Sequence, residues 1–124
     1  MEDDLWSEWD RIIAEHKLVI DRPKGTVHPR FPEMIYPVDY GYLEQTIGGD
    51  GAEVDIFVGS GDAGLVGLLS TYDAVKEDRE TKLLWNMTEE EIETVVSFLN
   101  RGAMTASLVR RIVLKPGMIS NSRR

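Results

Sequence analysis

Two aspartates, Asp50 and Asp55, stand around a glycine-rich turn in GGDGAEVDIFVG, residues 48–59. Two more, Asp73 and Asp78, flank the short polar turn in YDAVKEDRE. Strand alternation puts Asp55 on the face opposite Val54, Ile56 and Val58. Asp73 ends one apolar run and Asp78 opens the next, so adjacent strands would place both on one rim of a sheet. If the two hairpin mouths face each other, four acids converge. Such a group repels itself, by on the order of several kcal/mol, unless it is protonated or holds cations. Oxygen donors without cysteine select hard ions, Mg2+ above all, which commonly bridge to substrate phosphates. Aspartates beside turns are also ordinary capping residues. Spacing alone leaves both readings open.

The elements that must position these residues are short. Leu5, Trp6, Trp9, Ile12 and Ile13 recur at helical spacing and predict an amphipathic helix over 3–16. Trp6 and Trp9 share a face, which points to core packing. His16, late in that helix, suits a charge at its C-terminal end. KLVID reads as a strand, and RPKGTVHPRFPEMIYP, with prolines at 23, 29, 32 and 37, as an irregular surface segment. Further strands are expected over 39–46, 54–58, 65–72 and 81–85. Thr88 and Glu91 form a capping box before the stripe Ile92, Val95, Val96 and Leu99, and Arg101-Gly102 would close that helix. MTASLVRRIVL reads as a last strand and 116–124 as a frayed tail. The layout is α+β, with a small curved sheet or barrel between two helices.

One domain over 1–124 is expected, with 42% apolar residues to fill a single core. The net charge of −8, from 22 acidic and 14 basic residues, disfavours nucleic acid as a partner. It does not exclude a phosphate ligand, because local cations or metal ions reverse the field at a single site. No apolar run suits a membrane span, the acidic start is unlike a secretory signal, and cysteine is absent. A cytoplasmic protein with no membrane partner is the expectation.

In order along the chain, VIDRPKGT, YPVDYGYLEQT, GDGAEVD and YDAVKEDRETK resemble the blocks of the family I soluble inorganic pyrophosphatases. The resemblance runs from about Leu18 to Lys82. It implies an OB-like five-stranded β-barrel with flanking helices, hydrolysing pyrophosphate with Mg2+ held by aspartates. By position it makes Asp50, Asp55, Asp73 and Asp78 metal ligands and gives Asp21 the place of a metal-associated glutamate. Tyr40 matches an active-site tyrosine, and Lys82 approximates a phosphate-binding lysine. Lys24 falls in the Pro-Lys-Gly block as a substrate-binding residue. Tyr36 and Tyr42 read as packing. The resemblance also implies a homo-oligomer.

The pattern departs in three places. The family's middle aspartate, the group that takes a proton from the attacking water, is replaced by Ala52. Loss of a positioned base costs roughly 10²–10⁴-fold, so Glu53, two residues from Asp55 on the same strand face, is the candidate substitute. The hairpin after Lys24 is cut to HPRFPE, leaving Arg30 as the natural phosphate-binding cation, with His28 read as exposed. The family's C-terminal Tyr-Lys pair has no secure counterpart, and Arg101, Arg110 and Arg111 are equal candidates. KEDRETK follows the compact block of shorter, loop-truncated relatives. The leading expectation is pyrophosphate hydrolysis. The alternatives are another phosphoanhydride or phosphate ester, a non-catalytic metal- or phosphate-binding homologue, and a structural subunit.

Overall fold

The computed structural model of the chain describes residues 2–47 and 52–112. Asp50 and the expected tail at 116–124 lie outside the described residues. The elements run α1 (Glu2–Glu15), β1 (Leu18–Arg22), β2 (Asp39–Leu43), β3 (Val54–Val58), β4 (Leu65–Asp73), β5 (Asp78–Trp85), α2 (Glu89–Leu99) and β6 (Met104–Arg110). The strands form one mixed sheet in the order β1-β2-β3-β5-β4-β6, with β3 and β5 parallel. The α+β, barrel-like layout holds. Among the described residues the sheet is not closed, and β6, pairing antiparallel with β4, makes six strands where five were expected.

Period-two alternation in β3 sends Val54, Ile56 and Val58 to one face and Asp55 and Phe57 to the other. On the first face, Trp6 of α1 packs with Leu43, Val54, Ile56, Leu65, Leu68 and Leu83, and Trp9, Ile12 and Ile13 lie beside them. Trp6 is buried, so the first helix serves the core. Arg111 holds that helix from the far end of the sheet through a 2.9 Å ion pair to Asp10. On the second face, Phe57, Leu69 and Leu84 meet Ile92, Val95, Phe98 and Leu99 of α2.

Helix α2 starts where the capping box requires. Glu91 N donates to Thr88 Oγ1 at 3.2 Å, and Thr88 N donates to Glu91 Oε1 at 2.9 Å. Its end differs from the Arg-Gly expectation, because Asn100 is the cap. The Asn100 amide donates to the Val96 carbonyl and its side-chain oxygen accepts from Ala106 N, fastening the helix to β6. Tyr40 and Tyr42 flank Gly41, where a Cβ would collide with the Val19 carbonyl, so the Tyr-Gly-Tyr spacing lets β1 and β2 approach. Among the described residues no helix is long and apolar enough to cross a membrane.

Candidate active site

The second face of the sheet carries the buried polar cluster. Parallel pairing sets Asp55 of β3 directly across from Lys82 of β5. The Lys82 ammonium donates to Asp55 Oδ2 at 2.7 Å, to the Tyr40 hydroxyl at 2.9 Å and to Glu80 Oε1 at 3.2 Å. Tyr40 in turn donates its own proton to Asp55 Oδ2 at 2.7 Å. Each of Lys82, Tyr40 and Asp55 thus bonds the other two, and Lys82 is only 6% exposed. Burial works against the Lys82 charge, but the Tyr40 oxygen, Asp55 and Glu80 more than offset it and hold the ammonium above the ordinary lysine range. Burial, reinforced by the Asp55 carboxylate, pushes the Tyr40 phenol well above its usual value despite Lys82. Both groups therefore keep their protons at neutral pH.

A single-residue irregularity in β1 brings a further cation to this face. The β1–β2 register shifts between Ile20 and Arg22, placing Arg22 opposite Tyr40. Arg22 Nη1 donates to the Tyr36 hydroxyl, and the guanidinium lies 5.6 Å from the Tyr36 ring centre and 5.8 Å from that of Tyr40. Tyr36 is buried against Phe98, with ring centres 5.0 Å apart, so it packs as expected while its hydroxyl also orients Arg22. His28 stacks on Tyr36 at 6.0 Å and bonds the Arg30 amide through Nδ1 at 3.0 Å. The ring is half-buried rather than exposed. Burial, followed by the nearby charges of Arg22 and Arg30, lowers its pKa and favours the neutral ring.

Arg22, His28, Tyr36, Tyr40 and Lys82 line a cavity of about 590 Å3, whereas Asp55 and Glu80 are not among its lining residues. Arg22, Arg30, Lys76, Lys82 and Arg101 bring five cations to its wall, against the carboxylates of Glu33 and Asp73. In a chain with a net charge of −8, cations thus outnumber carboxylates on this wall, although Lys82 is itself paired with Asp55 and Glu80. Of the three C-terminal arginines, Arg101 is the one at the cavity. Arg110 pairs with Glu89 at 2.7 Å, and Arg111 with Asp10.

The carboxylates are arranged differently from the expected four-acid cluster. Asp73 and Asp78 are cross-strand partners on one rim, as their positions beside the turn implied. That rim lies four residues along β5 from Lys82, about 13 Å at strand rise. Asp73 Oδ1 accepts from the amides of Val75 and Lys76 at 2.9 and 3.1 Å, the turn-capping role open to any aspartate there. Asp55 is engaged by Lys82. Among the described residues, which exclude Asp50, no three His, Asp or Glu side chains gather closely enough to hold a metal ion.

Asp21 is exposed and does not line the cavity, because the β1 irregularity presents its neighbour Arg22 instead. Lys24 is exposed too, its backbone amide bonded to Asp39 Oδ1 at 2.8 Å. Glu53 precedes β3, is exposed and lies away from the cavity wall, where its Oε2 accepts from the Gln45 amide at 3.3 Å. Arg22, Lys76 and Glu80 were not anticipated. A β-strand irregularity leaves little trace in a single sequence. Glu80 and Lys82, two apart in one strand, carried a same-face signal that the long polar run obscured.

The inorganic pyrophosphatase family model matches residues 13–85. No curated protein sequence matches the chain. Among solved structures, an inorganic pyrophosphatase from Neisseria gonorrhoeae is 16% identical with a TM-score of 0.55, over 77% of this chain and 75% of that one. One from Coxiella burnetii is 14% identical with a TM-score of 0.54, over 75% and 82%. One from Helicobacter pylori is 17% identical with a TM-score of 0.52, over 75% and 81%. At such identities the structural likeness shows a shared fold. The family match, which covers more than half of the sequence, goes further: the chain belongs to the inorganic pyrophosphatase family of hydrolases.

Proposed function

We infer that the chain hydrolyses inorganic pyrophosphate to phosphate in the cavity above Tyr40 and Lys82. The observation that carries this reading is the gathering of five basic side chains on the wall of one cavity in an acidic chain. Guanidinium groups match phosphate oxygens as two-pronged donors, and Lys76 and Lys82 act as point charges. Arg22, Arg30 and Arg101 bind and orient the anion. Lys82, fixed by Asp55, Tyr40 and Glu80, meets charge as it shifts toward the departing phosphate, with little reorganisation. Asp55, whose Oδ2 accepts from both Tyr40 and Lys82, serves in this reading to fix those two lining residues.

Magnesium would be supplied as the magnesium salt of pyrophosphate and would neutralise charge on the phosphate oxygens. Mg2+ keeps several waters and is commonly held by phosphate oxygens with one or two carboxylates. That mode does not require the three-carboxylate group missing among the described residues. Glu33 and Asp73 are carboxylates at the cavity wall that could meet such a salt. Assembly into homo-oligomers belongs to the same family expectation.

The test is phosphate release from magnesium pyrophosphate by the wild type and by Arg22→Met. Removing the guanidinium should lower kcat/KM by about 10²-fold, the lower end for loss of one preorganised donor. An unchanged kcat/KM would remove Arg22 and this cavity from the reaction.

A further inference from the structure

The wall of the cavity is not uniformly charged. Phe31 and Met34 from the proline-rich segment, Val75 from the β4–β5 turn, Phe98 and Leu99 from the end of α2, and Met104 from the start of β6 also line it. Phe31 is 48% and Val75 81% exposed, so part of this apolar surface faces water in the free protein. Bare pyrophosphate has only oxygens to present and would leave that surface wet. A cavity of about 590 Å3 also falls in the range, roughly 300–1,000 Å3, that encloses organic ligands with a mostly apolar body and a few fixed polar contacts. The two linings interleave. Arg22 and Lys82 rise from the sheet, whereas Arg30, Lys76 and Arg101 stand on the same loops and α2–β6 junction as Phe31, Val75 and Leu99, so a diphosphate held by these cations lies beside the apolar groups. The bond from Ala74 N to the Ala103 carbonyl, at 2.9 Å, ties that junction to the turn bearing Val75.

We propose that the cavity takes organic diphosphate esters, with the diphosphate among the cations and a compact apolar group against Phe31, Met34, Val75, Phe98, Leu99 and Met104. This inference rests on the pyrophosphatase reading and names the wider substrate class of the same site. The water oxygen bonds to the terminal phosphorus, and the bridging P–O bond to that phosphorus breaks. The bridging oxygen leaves with the phosphate that carries the organic group. Inorganic phosphate and an organic monophosphate result, and the protons of the water pass to the two phosphates or to solvent. Burying a phenyl ring or branched alkyl chain removes apolar surface of both ligand and wall from water.

The experiment compares kcat/KM for phenyl diphosphate and methyl diphosphate, with inorganic pyrophosphate run alongside. The phenyl ester should exceed the methyl ester by at least about tenfold, in line with the burial of a ring. Phe31→Ser and Met34→Ser, both outside the buried core, should each shrink that ratio. Equal rates for the two esters, or hydrolysis of inorganic pyrophosphate alone, would overturn the proposal. If no substrate turns over, the pyrophosphatase reading fails separately. Binding of phenyl methylenediphosphonate and methyl methylenediphosphonate then decides: tenfold tighter binding of the phenyl compound sustains the apolar subsite, and equal or absent binding ends it.

Discussion

The two faces of the sheet are made from the same strands but have different composition and different coverage. On the α1 face, Trp6 and its neighbours bury Leu43, Ile56 and Leu83 completely. On the α2 face, the helix covers Phe57, Leu69 and Leu84, and beyond its end the sheet opens into a cavity floored by Tyr40 and Lys82. Alternation along β3 alone separates the two, with Ile56 going to one side and Asp55 to the other. One face is given to stability, while the other trades part of its packing for a set of buried charges. A buried ion pair contributes little to stability by itself, and breaking it from one side is costly. The Asp55–Lys82 pair is therefore better understood as a device for holding an ammonium at a fixed place.

This contrast can be broken from either side. Trp6→Ala on the α1 face should cost about 3–5 kcal/mol of unfolding free energy. Denaturant melting measures that loss, and kcat/KM for pyrophosphate should stay within error at temperatures where the variant is folded. A matching collapse in activity of the folded variant would show that the faces are not independent. Lys82→Met keeps the bulk of the side chain and removes the charge. It should lower kcat/KM by about 10²–10³-fold, on the order of 3–4 kcal/mol of transition-state stabilisation. Retained turnover would return Lys82 to a purely structural role.

The smallest expected effect sharpens the comparison at the edge of the α2 face. Burial opposes the Glu91 charge, but the amides of Thr88 and Ser60, at 2.9–3.2 Å, prevail and hold its carboxyl below the ordinary glutamate value. Because the folded-state pKa is depressed, this contribution is present above the unfolded value of about 4.5. It is lost as pH falls through the folded pKa. Glu91→Gln should cost about 1 kcal/mol at neutral pH, as the loss of a cap does, and should flatten the acid limb of the stability profile. Identical acid limbs in the two proteins would assign that pH dependence elsewhere.

Local rules made much of this molecule legible from its sequence. The capping box at Thr88 and Glu91, the apolar stripe of α2, the alternation of β3 and the amphipathic first helix depend on neighbours within a turn or a strand. The site depended on more. That Lys82 faces Asp55 follows from a parallel pairing between strands separated by the whole of β4, and no local pattern encodes that register. The substitution of Arg22 for Asp21 at the cavity turns on one irregular residue in β1. Asp55, Asp73 and Asp78 stand in or at the ends of strands, as their sequence context implied, while Asp50 lies outside the described residues. Their convergence was the added step, and the length of β5 between Asp78 and Lys82 keeps the described members apart.

Strands β3 and β5 run in the same direction, so the chain must travel out and back through β4 before they can lie side by side. The β4–β5 hairpin forms from near neighbours, whereas joining β3 to it closes a longer loop whose entropy must be met first. On this ordering Asp55 and Lys82 would meet only after the hairpin forms. The Lys82 ammonium would then gain its counter-charge when β3 docks, and a chain stalled before that step would carry the fold's local elements without the paired cluster.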